Sequence, residues 1–414
     1  MDLASAIESP RVNAARPQSP TPRLRVCYVI ESGTDVRMVE GLAARFDLTV
    51  VARRILDGVE ISHPPDCEFN FVRGPSSRAR FALFAANFLR KRISQFDYIL
   101  VQGYGVTALA ANLTSTMTAV PTAMVICSPV EAYYRCRKTN PQPGKPYRVW
   151  ELRLFEMVAR LNAKMARRYL VLSDHLGDTV RAHGTRAPID LVPIYGVDLS
   201  LFRPRSREQS VLKSERGLPA SGQVIFFSSR IAPEKDSNTM LAALRILLAR
   251  GRDLWLLHRS GGYAAFRREA ERIGVAHRVI ATDAVHPHRE LPMDYQASDI
   301  CVQASREEGL GFSPIEAMAC GVPAVASAVG GLKETVIDGR TGWSYPVGDA
   351  DALARCIEEI VDNPAEAERR SREALSMVRQ RYDHRAAFDR LEAVIAHDLD
   401  KDLKTTNRAA RATG

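Results

Sequence analysis

Between residues 299 and 327 the sequence reads as strand, loop, helix and strand, and the loop limits what the chain can hold. Asp299-Ile-Cys-Val-Gln303 and Ala324-Val-Ala-Ser327 are short apolar runs of the buried-strand type, with SREEGLGFSPIEAMACGVP, Ser305 to Pro323, between them. Gly309 and Gly311 let the backbone approach a ligand closely. The helix that follows aims its unsatisfied N–H groups and positive dipole end at the same loop. Such a place suits an anion. Two carboxylates, Glu308 and Glu316, flank it with seven residues between them. Ser313-Pro-Ile-Glu316 also has the form of a capping box with proline at the first helical position. That accounts structurally for Ser313, Pro314 and Glu316, but not for Glu308 or the glycine pair.

Strands and helices alternate along the rest of the chain. Leu24 to Ile30 is a strand, Glu31 to Asp35 is a turn containing Gly33, Val36 to Phe46 has helical spacing, and Leu48 to Ala52 is the next strand. Strand, glycine turn and helix open a Rossmann-like sheet. Tyr98 to Gln102, Thr122 to Cys127, Tyr169 to Ser173, Gln223 to Ser229, Leu254 to Leu257 and Arg278 to Ala281 continue the pattern. Phe81 to Ile93 is apolar at helical spacing and ends in Arg90-Lys91-Arg92. Packing on its own sheet, with cations at its C-terminus, explains it more simply than a place on a membrane surface.

A chain of 414 residues is long enough for two domains, each with its own core. The expected division is a disordered leader over 1–22, rich in Ser, Pro, Ala and Arg, and Rossmann-like domains over 23–200 and 201–381. A helix over 382–400 and a disordered tail over 401–414 follow. No apolar run is long enough to span a membrane. The seven cysteines are scattered and odd in number, which fits buried thiols in a reducing cytoplasm. Residues 1–200 carry 26 Lys and Arg against 18 Asp and Glu, so most of the net charge of +9 belongs to this half. Arg135, Arg137, Lys138, Lys145, Arg148, Arg153, Arg160, Lys164, Arg167 and Arg168 form a basic stretch. It suits an anionic membrane surface or a phosphate-bearing acceptor as well as plain solvent.

Glu308-x7-Glu316, followed by EAMACGVP, resembles the family-four retaining glycosyltransferases, which have the α/β GT-B fold of two Rossmann-like domains with a cleft between them. Arg230-Ile-Ala-Pro-Glu-Lys235 resembles the family's Arg-x4-Lys signature. Ile189 to Pro204 resembles the segment joining the domains, with Tyr195-Gly196 where Asn-Gly is common. Gly330 to Asp349 resembles the family's continuation. The resemblance implies that the second domain binds a nucleotide diphosphate sugar and the first an acceptor, and that the last helix returns to the N-terminal domain. It implies that Arg230 and Lys235 meet the charge of the leaving diphosphate, a task suited to fixed cations without a metal. Glu308 would orient donor-sugar hydroxyls and Glu316 would take the ribose hydroxyls. The backbone of Gly309, Leu310, Gly311, Phe312 and Ser313 would contact phosphate and sugar.

The match departs from the family in two places. Only Gly33 stands where a glycine pair usually lines the first turn near the donor. The position that usually holds a histidine beside the reacting sugar is occupied by Ser128-Pro129-Val130-Glu131, and Glu131 is the candidate substitute. No metal or cofactor is expected. His286 and His288 have no third ligand near in sequence, and Asp349-Ala-Asp351 opens a helix, with Asp349 as its N-cap. The expected function is a metal-independent, retaining transfer of a sugar to an acceptor hydroxyl in glycan, exopolysaccharide or glycolipid synthesis. The expected partners are the donor and a carbohydrate or lipid-linked acceptor, with no nucleic acid. The expected location is cytoplasmic, with the basic N-terminal domain against the inner face of the membrane as the peripheral variant. A sugar phosphorylase of the same fold, or a protein that binds nucleotide sugar without consuming it, is the alternative.

Overall fold

The structure, a computed structural model, describes residues 23–31, 35–53, 69–118, 120–142, 144–260, 262–282 and 289–412. The expected leader, 1–22, lies outside them. The chain divides into two compact units, one of residues 1–127, 150–195 and 386–414 and one of residues 128–149 and 196–385.

The first unit is built on seven strands: β1 (Arg25–Ile30), β2 (Asp47–Ala52), β3 (Asn70–Arg73), β4 (Tyr98–Gln102), β5 (Thr122–Ile126), β6 (Tyr169–Val171) and β7 (Ile189–Leu191). They pair in parallel in the order β3-β2-β1-β4-β5-β6-β7. A parallel sheet covered by helices on both faces needs apolar strands throughout rather than alternating ones. Accordingly, Val26 to Ile30 and Tyr98 to Val101 are buried along their whole length. The helix Arg78–Arg92 buries Phe81, Ala85, Phe88 and Leu89, so its apolar face is spent on packing.

The second unit repeats the plan with β8 (Gln223–Phe226), β9 (Leu254–Arg259), β10 (Val279–Thr282), β11 (Ile300–Gln303), β12 (Ala324–Ser327) and β13 (Trp343–Tyr345). Their order is β10-β9-β8-β11-β12-β13, again all parallel. The direction of winding reverses between β8 and β11. In open α/β sheets, ligands bind at the carboxyl ends of the strands beside such a reversal.

Two expectations change. The sequence reading runs the first domain continuously from 23 to 200, whereas residues 128–149 group with the second unit. The helix Val130–Thr139 packs on the short turn Pro233–Lys235, and Asn140 Nδ2 donates to the Pro233 carbonyl at 2.8 Å. The tail expected to be disordered from 401 continues as helix, His384–Ala412. Residues 401–412 contain neither proline nor glycine and are rich in Lys, Arg and Ala, so nothing local ends the helix there. From residue 386 this helix belongs to the first unit. Phe388 packs so closely on Gly41 that a Cβ there would strike the ring. Arg45 pairs with Asp389, and Asp398 receives both Arg168 and the Tyr98 hydroxyl.

Tyr195 and Gly196, where the first unit passes to the second, both have left-handed backbone, φ 58 and 49. Glycine tolerates this freely and tyrosine rarely does. The Arg37 guanidinium lies over the Tyr195 ring, 4.9 Å from its centre.

Candidate active site

The reversal between β8 and β11 gathers the two loops singled out by the sequence. β8 and β11 are neighbours in register, with Ile225 opposite Ile300 and Phe226 opposite Cys301, so their C-terminal ends emerge side by side. Beyond β8 the chain runs through Ser228, Ser229 and Arg230 to Lys235. Beyond β11 it runs through Ser305 to Glu308 and into the glycine loop. Arg306 ties the two loops together. Its backbone N–H donates to the Glu234 carbonyl at 2.8 Å, and its guanidinium pairs at 2.9 Å with buried Asp236, the residue after Lys235. Asp236 itself sits at φ 45, an uncommon backbone for a residue with a Cβ.

Lys235 Nζ donates to Glu308 Oε2 at 2.5 Å. The same oxygen accepts from Ser305 Oγ and Gln303 Nε2, both at 3.1 Å, while Ser229 Oγ donates to the Gln303 side-chain carbonyl at 3.0 Å. Burial pushes the Glu308 carboxyl up. The Lys235 charge and hydrogen bond, together with Ser305 and Tyr133, outweigh it and hold the carboxyl below its ordinary range. Glu308 is therefore an ionised acid in a nearly dry place, only 7% exposed. Arg230 reaches outward with a side chain 60% exposed, and its guanidinium is paired with Glu234. The loop thus offers two cations, Lys235 inside and Arg230 at the rim.

The helix Phe312–Ala319 starts two residues earlier than a capping box at Ser313 requires. Its N-cap is Gly311 at φ 89, without a side-chain cap, and Pro314 is the third helical residue rather than the first. Ser313 and Glu316 are turned to other partners. Ser228 Oγ donates to Ser313 Oγ at 2.8 Å, and the buried Tyr295 hydroxyl donates to Glu316 Oε2 at 2.8 Å. Burial, then the Glu316 charge, raise the Tyr295 phenol well above its usual value, so it remains a donor. Gly330 and Gly331 close the loop from behind, where a Cβ would strike the carbonyl oxygens of Glu308 and Gly309 respectively. Leu310 is buried and offers only its backbone to a ligand, whereas Phe312 and Ser313 are half-buried.

Gly33 lies outside the described residues, as do His286 and His288. Glu131 is buried in the first turn of the helix Val130–Thr139. Tyr133, two residues further on and so projecting from a different face of that helix, is the side chain that meets Glu308. Its hydroxyl donates to Oε1 at 3.1 Å and receives the Gly309 N–H at 3.4 Å. Sequence reasoning did not single out Tyr133, Tyr295, Gln303 or Glu234. The one available signal was that Tyr133 lies in the segment where the family histidine is missing. Asp349 caps the helix Ala350–Asp362, accepting from Ala352 N at 2.8 Å. Among the described residues no group of three or more His, Cys, Asp or Glu is arranged to hold a metal ion. Nor is any helix long and apolar enough to cross a membrane.

Residues 208–377, which contain both loops, match the family described as glycosyl transferases group 1. This segment is a group 1 glycosyl transferase domain. Curated relatives extend the likeness. A GDP-mannose-dependent alpha-(1-6)-phosphatidylinositol monomannoside mannosyltransferase of Mycolicibacterium smegmatis is 33% identical over 195 residues, 45% of this chain and 50% of that protein. A D-inositol 3-phosphate glycosyltransferase of the same organism is 32% identical over 233 residues, 54% of this chain and 48% of that protein. The chain thus spans about half the length of the curated relatives it matches. Beyond the group 1 domain, the fold of the whole chain is GT-B. Sucrose-phosphate synthase from Thermosynechococcus elongatus superposes with a TM-score of 0.75 at 22% identity, over 91% of this chain and 99% of that one.

Proposed function

We propose that the protein is a retaining glycosyltransferase that moves a sugar from a nucleoside diphosphate sugar to an acceptor hydroxyl in glycolipid or glycan assembly. The observation that carries this reading is the Lys235–Glu308 pair at the sheet reversal of the group 1 domain, with Arg230 at its rim. The sugar–phosphate bond breaks with negative charge growing on the leaving diphosphate. Arg230 and Lys235 meet that charge, which lowers the barrier without a metal. Glu308 accepts hydroxyl protons of the donor sugar, Glu316 faces the ribose, and the backbone of residues 309–313 serves phosphate and sugar. The acceptor hydroxyl attacks from the face the diphosphate leaves, through an oxocarbenium-like state, so the anomeric configuration is kept. Names of relatives support the donor class, since one uses GDP-mannose and acts on a phosphatidylinositol mannoside.

The same reading puts the first unit peripherally on the cytoplasmic face of an anionic membrane. The helix Val149–Met165 supports this, with Trp150, Leu154, Met157 and Leu161 exposed beside Arg153, Arg160 and Lys164. Sedimentation with anionic but not neutral vesicles is the expected outcome.

The test of the reaction is turnover of a panel of UDP-, GDP- and ADP-sugars in EDTA, with product configuration read by NMR and Arg230→Ala as the control. Turnover of one donor with retention, resistant to EDTA and sharply reduced in the control, supports the reading. Product formation that requires inorganic phosphate would make the protein a phosphorylase, and binding without consumption would make it a nucleotide-sugar receptor.

A further inference from the structure

The two oxygens of Glu308 are used differently. Oε2 accepts from Lys235, Ser305 and Gln303, which fixes the carboxylate, while Tyr133 is the partner of Oε1 among the described residues. The phenol oxygen also receives the N–H of Gly309, at a slack 3.4 Å. An acceptor oxygen and a donor N–H that one hydroxyl can satisfy together are a fitting recognition element for a sugar hydroxyl. Tyr133 shows that the fit exists, because its own hydroxyl makes both bonds.

We infer that Tyr133 is a specificity-determining residue of the donor site: its hydroxyl competes with a donor-sugar hydroxyl for Glu308 Oε1 and Gly309 N–H. The inference rests on the donor-site reading above and deepens it. A positioning role for Tyr133 is the weaker account, because Glu308 is already held by three donors on its other oxygen. The helix that carries Tyr133 is fixed at its far end by Asn140 on the Pro233 carbonyl, so the phenol can turn away while its helix stays in place. The diphosphate part of the donor meets Arg230 and Lys235 rather than Oε1. The competition therefore bears on the sugar and not on the nucleotide.

This separation supplies the test. Dissociation constants of the nucleoside diphosphate sugar and of the matching nucleoside diphosphate are measured by titration calorimetry for the wild type and for Tyr133→Phe, a near-isosteric change. A hydrogen bond to a charged group is worth enough that its loss to the competitor should tighten sugar-donor binding several-fold, up to on the order of tenfold, in the variant. The nucleoside diphosphate should bind both proteins equally, which also serves as the folding control. An unchanged ratio of the two affinities, or a weaker sugar donor, overturns the competition while leaving the donor site in place. If the wild type binds none of the nucleotide sugars in the panel, the donor-site reading falls and the competition falls with it.

Discussion

Lys235 donates from Nζ to Glu308 Oε2 across 2.5 Å, joining residues 73 apart in the chain and tying the loop after β8 to the loop after β11. Both side chains are largely withdrawn from water, so each depends on the other for neutralisation. Lys235→Met strands a buried carboxylate and should cost about 3–5 kcal/mol, because the uncompensated charge, not the lost attraction, dominates. Turnover should fall about a hundred- to a thousandfold as a charge-stabilising donor is removed. Adding Glu308→Gln should recover most of the stability and none of the turnover. Urea denaturation and donor turnover of the single and double variants check this.

The same pair sets an acid limit. Burial raises the Glu308 carboxyl, but Lys235, Ser305 and Tyr133 hold it below its ordinary value of 4.5. A depressed folded-state value means that the stabilisation is present above 4.5 and is lost as pH falls through the folded value. The acid limb of donor binding should therefore lie below pH 4.5 in the wild type. In Glu308→Gln the carboxylate is gone, so the limb assigned to it should vanish. A pH series of donor binding for the two proteins separates these outcomes.

Gly330 sits at φ 45 with its missing side chain aimed at the Glu308 carbonyl oxygen. Gly330→Ala adds backbone strain of about 1–3 kcal/mol and a collision with backbone that has little room to retreat. Stability should drop and donor binding should weaken together. Gly339 is the control: it has φ 71 but open space around it, so Gly339→Ala carries the strain without the collision. Its effect should be smaller and confined to stability, as thermal melting and donor titration would show.

Arg168, with a side chain 7% exposed, is held by Asp398 from the C-terminal helix and by Asp190 from β7, and Tyr98 adds its hydroxyl to Asp398. Asp398→Ala leaves a buried guanidinium short of one carboxylate and should destabilise the first unit by about 3–5 kcal/mol. Asp398→Asn, which keeps an acceptor but not the charge, should cost less. Denaturation midpoints of the two variants give the comparison, and equal losses would mean that shape rather than charge anchors the helix.

The local sequence was enough to read the parallel sheets, because apolar runs broken by glycine turns and helical spacing have few other solutions. The resemblance to the glycosyltransferase family then brought Arg230, Lys235, Glu308 and the glycine loop under one heading. Other features had two local solutions. Ser313 and Glu316 spell a capping box, yet Ser228 and Tyr295 engage those side chains and Gly311 begins the helix instead. Nothing near residue 133 announces that its phenol meets a carboxylate 175 positions away, and Glu131 was the candidate because it is an ionisable group in the segment where the family histidine usually stands.

What periodicity and backbone freedom determined is therefore the strands, the helices and a glycine-lined place for an anion, and the cations to meet it came from the family resemblance. Tertiary structure decided which oxygen of Glu308 is held and which meets a hydroxyl. It also decided that residues 128–149 join the second unit. The physical reason is that side-chain hydrogen bonds and ion pairs act over a few ångströms of space, without regard to the length of chain between the partners.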